Sequence, residues 1–125
     1  MKSVTVLLLL VASFSALAAP LPCSIHPAKS IATSALPGLA KIPMADAKAT
    51  ALAAYKGRAA TVADGELEVE ATCLIYSFDV RLAGKTGIEE VTVDAGTGAV
   101  LSRQHETPKQ EANEDAADQA SAGKH

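Results

Sequence analysis

The stretch VTVDAGTGAVLS, Val91 to Ser102, decides the fold. Val91 and Val93 alternate with Thr92 and Asp94, which is the period of a half-buried strand. After Gly98 comes Ala99-Val100-Leu101-Ser102-Arg103, a second β-run and not a helix start. A phosphate-cradling loop needs a strand before it and a helix after it. The pentapeptide Asp94 to Gly98 is therefore a reversal. Asp94 suits the first position of a type I turn, where its carboxylate accepts from N–H groups two or three residues on. Gly98 suits the left-handed position that returns the chain. Asp94, Thr97 and Gly98 are thus structural turn residues, and the segment is an antiparallel hairpin.

Upstream, the same period recurs. Leu67, Val69 and Ala71 oppose Glu66, Glu68 and Glu70, and Leu74, Tyr76, Phe78, Val80 and Leu82 oppose Ser77, Asp79 and Arg81. One apolar and one polar face describe an antiparallel sheet covered on one side. Ala71 to Cys73 joins the first pair of strands, and Ala83 to Gly87 the second. Arg58 to Ala63 leads into the first strand. There Asp64-Gly65 reads as a β-bulge in preference to a separate tight turn.

Before the strands, Pro43 to Gly57 spells a helix. Pro43 suits its first position, Asp46 complements the dipole, and Gly57, beside Lys56, supplies the C-cap. Met44, Ala47, Ala51, Leu52 and Tyr55 form a thin apolar stripe, so the helix should lie close on the sheet. The expected class is α+β: one N-terminal helix packed on a three- to four-stranded antiparallel sheet, with the acidic outer face left wet.

The flanks differ in composition. Residues 1–18 carry Lys2, the apolar run Val4 to Ala12 and an Ala16-Leu17-Ala18 cleavage pattern, as in a secretory signal peptide. The run is short for a membrane span, so no stable anchor is expected after cleavage. Pro22 before Cys23 argues against a lipoprotein signal. Residues 19–41 hold four prolines and read as a leader; 42–105 is the domain. Residues 106–125 contain no Val, Ile, Leu or aromatic residue and read as a disordered acidic tail. A core of about 64 residues is marginal without a staple.

The chemistry-bearing residues are few. In an exported chain, Cys23 and Cys73 read first as a disulfide closing a loop of about 51 residues. A metal site with His26, an intermolecular bond and a free thiol are the alternatives. His26, His105 and His125 pair with no nucleophile, and no serine sits in a nucleophile elbow. His105 and His125 read as solvated. Glu66, Glu68 and Glu70 stand about 7 Å apart along one strand face, which suits water better than a cation. Net charge is −3 and the aromatic set is Phe14, Tyr55, Tyr76 and Phe78. Nucleic-acid binding lacks both its charge and its stacking groups. No catalytic residue, metal site or cofactor is expected.

The order of features resembles the PepSY domain family. The carriers are DAKATALAAYKG, ELEVE, YSFDVRL and EEVTVDAGTGAVL, the last with a V-D-A-x-T-G core. The resemblance implies a non-catalytic, periplasmic or secreted interaction module whose partner is a peptidase or another envelope protein. The alternative is an envelope structural or sensory protein that binds a small ligand or metal. Oligomeric state is not implied.

Overall fold

The computed structural model describes residues 22–122. The signal peptide expected over 1–18, the start of the leader and His125 lie outside the described residues. Element order is a short 3-10 helix (Thr33–Gly38), α1 (Met44–Ala53), β1 (Ala60–Glu70), β2 (Cys73–Leu82), β3 (Ile88–Asp94), β4 (Val100–Glu106) and α2 (Pro108–Ala122). The four strands form one antiparallel sheet in the order β1-β2-β3-β4. The α+β reading stands, with a second helix added.

β1 is a single strand of 11 residues. Its pairing with β2 shifts between Val62 and Asp64, so Ala63 is the extra residue of a bulge. Gly65 follows at a tight spot: a Cβ there would lie 2.8 Å from the Phe78 ring. Leu74, Tyr76, Phe78, Val80 and Leu82 are all buried on the face that the alternation assigned. Val91 and Val93 join them from β3. Ala47 and Ala51 of α1, both fully buried, bring the helix close onto this face.

α1 is shorter than expected. Pro43 is not its first residue but its N-cap, with extended ψ of 153°, and its carbonyl accepts from Asp46 and Ala47 N–H. The last turn tightens into three-residue hydrogen bonds at Ala54 and Tyr55, and Gly57 leaves it at φ +80°. Arg103 of β4 ties this end down: it donates to Ala54 carbonyl at 3.1 Å and lies over the Tyr55 ring.

Two expectations about the flanks are corrected. The leader is part of the fold. Leu36 is buried within the core, Ile25 and Ile31 pack against it, and Ile25 carbonyl accepts from Leu74 N–H. Isolated apolar residues in a proline-rich segment show no period, so the alternation test missed them. The segment read as a disordered tail carries α2, which starts in a capping box. Thr107 N–H and hydroxyl donate to the Gln110 side chain, and Gln110 N–H donates back to Thr107 Oγ1. The helix lies over the polar face of the sheet, so that face is not simply wet.

Candidate functional site

Asp94 and the Cys23–Cys73 pair lie where the leader crosses the strand ends. Asp94 is 1% exposed. Its carboxylate accepts from Ser24 N–H at 2.8 Å, Ser24 hydroxyl at 2.7 Å, Gly96 N–H at 2.7 Å and Thr97 N–H at 3.4 Å. Burial pushes its pKa up, but these donors prevail and hold it below the ordinary carboxylate value. Gly98 returns the chain at φ +77°, donating to Asp94 carbonyl, while Asp94 N–H donates to Ala99 carbonyl. Thr97 hydroxyl accepts from Ala99 N–H. The loop binds its own leader, and its backbone N–H groups are all used.

Cys23 and Cys73 are joined by a disulfide, Cα to Cα 5.8 Å. The bond consumes the two sulfurs that a metal site with His26 would need. His26 packs beside it, its Nδ1 3.2 Å from Thr72 carbonyl. Ala71 and Thr72 form the two-residue turn into β2 with φ of +46° and +72°. Neither is glycine, so the turn is strained and is held by what surrounds it.

His105 is not simply solvated. Its Nδ1 lies 2.8 Å from Glu89, which also accepts from Lys85 Nζ at 2.6 Å. Burial opposes ionisation of Glu89, but these partners lower its pKa overall. The cluster is an ion-pair network without a hydroxyl or thiol nucleophile in it.

Between α2 and the polar face of the sheet is a cleft of about 160 Å³. The sheet contributes Asp64, Glu66, Asp79, Glu90 and Glu106; α2 contributes Glu111, Glu114, Asp115 and Asp118. Carboxylate oxygens of Glu90, Glu106 and Glu114 lie within 4.8 Å of one another. Burial, together with a hydrogen bond and charge from Glu106, pushes Glu90 up to about 7. Arg81 pairs with Glu111 across the cleft at 2.8 Å. Glu106 and Glu114 carried no signal in the sequence: Glu106 ends β4 beside Glu90, and only α2 brings Glu114 over the sheet.

A second, larger groove of about 560 Å³ runs between the leader and the outer edge of β1. Ala28, Lys29, Ile31 and Leu36 line it on one side, and Glu66 to Val69 on the other.

The family model for PepSY, the peptidase propeptide and YPEB domain, matches residues 41–104. The match runs from the approach to α1 almost to the end of β4. No curated protein and no solved structure matches the chain.

Proposed function

The chain belongs to the PepSY family, and from that premise we propose that it is an exported, non-catalytic interaction module that restrains a peptidase. The observation that carries the reading is the coincidence of the family match with α1 and β1–β4, almost to the end of the sheet. The residues that looked reactive support it by being occupied. The two thiols are a disulfide, which suits an oxidising compartment, Asp94 is capped, and His105 is paired with Glu89. Among the described residues no helix is long and apolar enough to cross a membrane.

Capture tests the reading. The mature chain, disulfide intact, is cross-linked in the envelope fraction or culture fluid, and its partners are identified. A peptidase whose activity falls when the purified chain is added is the expected result. Recovery of no protein partner, with and without cross-linker, overturns it.

A further inference from the structure

We infer that the free edge of β1 is a docking site for an extended basic polypeptide strand, which adds to the sheet in the groove beside the leader. The inference rests on the reading as an interaction module and names the kind of partner.

Among the described residues, β1 pairs only with β2. Among the described residues, no backbone hydrogen bond outside the sheet reaches Leu67 or Val69. The register fixes which groups are free. Glu70 and Cys73 close a two-residue turn and so form a hydrogen-bonded pair. Every second pair repeats it, at Glu68–Ile75 and Glu66–Ser77. Leu67 and Val69 therefore turn their N–H and C=O outward. Such an edge is a template for strand addition. The bulge at Ala63 ends the regular stretch, so the template is Gly65 to Val69, roughly 17 Å.

The groove prescribes the side chains of the added strand. Toward the leader it is apolar: Ile31 and Leu36 stand opposite Leu67 and Val69, and Val69 is 42% exposed. Toward the polar face it is acidic. Glu66 and Glu68 line it, and Glu70 and Asp118 stand close enough to raise the pKa of Glu68 further, after burial and Glu66. Among the described residues, Lys29 is the one cation in its lining. A complementary strand alternates apolar residues with lysine or arginine. Antiparallel pairing with a second copy of β1 is disfavoured, because it would set Glu66, Glu68 and Glu70 against their own copies.

The test uses the folded, disulfide-bonded chain and a labelled peptide of alternating Val and Lys, read by fluorescence anisotropy. The expected result is binding at least tenfold tighter than that of a block peptide of the same composition, in which the period is lost. Methylating the peptide amides that face β1 should remove it, and Glu66→Gln with Glu68→Gln should weaken it at least fivefold without changing Tm. The amide signals of Leu67 and Val69 should shift and gain exchange protection. Equal binding of alternating and block peptides overturns the proposal, as does no binding of either. Dimerisation through β1 overturns it also. A captured partner whose cross-links map away from β1 overturns the docking site and leaves the interaction-module reading standing.

Discussion

Asp94 shows how one buried charge organises this molecule. Its carboxylate is nearly sealed from water, and the donors around it come from its own turn and from Ser24, 70 residues earlier. Removing a hydrogen-bonded buried charge leaves those donors unpaired. Asp94→Asn should therefore destabilise the fold by about 2 kcal/mol, measured by urea unfolding at pH 7. The sign with pH follows from the lowered pKa. The contribution of Asp94 is present above its unfolded value, about 3.9, and is lost as pH falls through its lower folded value. The difference between Asp94→Asn and the parent should shrink toward zero in strong acid. Gly96 belongs to the same knot, since a Cβ there would collide with Ser24 Oγ. Gly98→Val puts a β-branched side chain at φ +77° and should cost about 1–2 kcal/mol, read as a fall in Tm.

Elements were legible where a period ran unbroken. β2 alternates from Tyr76 to Leu82, and α1 shows its alanine stripe, so helix and sheet follow from spacing alone. α2 illustrates the opposite case. Its composition carries no apolar face, so a test built on burial reads it as disordered. The signal present was local: Thr107, Pro108 and Gln110 spell a capping box with proline at the first helical position. The Asp94 turn was legible by residue type, but the Ser24 cap was not, because nothing local relates residues so distant. The β1–β2 turn hid its strain for a related reason: Ala71-Thr72 is no turn signature, and tertiary contacts hold it there. Replacing Ala71-Thr72 by Asn-Gly gives the turn residues suited to positive φ. The pair should gain about 1–2 kcal/mol in total. Its check is a rise in urea midpoint with an unchanged slope.

At the scale of the whole molecule, two long-range devices pull in different directions. The Cys23–Cys73 bond fastens the leader to the sheet across 50 residues of sequence. On the chain-entropy model it contributes roughly 4 kcal/mol, so the Cys23→Ala, Cys73→Ala double variant should melt far below the parent. The acidic cleft works against the structure instead. α2 sets carboxylates over carboxylates and is tied by the exposed Arg81–Glu111 pair, a kind of contact that stabilises little. Glu90, at about 7 in the native state beside Glu106, holds a proton that the unfolded chain releases near 4.5. The unfolded state therefore binds fewer protons between those values, and stability falls as pH rises through that window. Above 7 both states are ionised and the loss is complete. Glu90→Gln supplies a neutral partner at every pH. It should leave Tm nearly unchanged at pH 4 and raise it by a few degrees at pH 8, the effect of about 1 kcal/mol in a domain this small. Circular dichroism melts at the two pH values check this. The gap at pH 8 should narrow in 1 M salt, because screening relieves the partly exposed carboxylates that the variant relieves by chemistry.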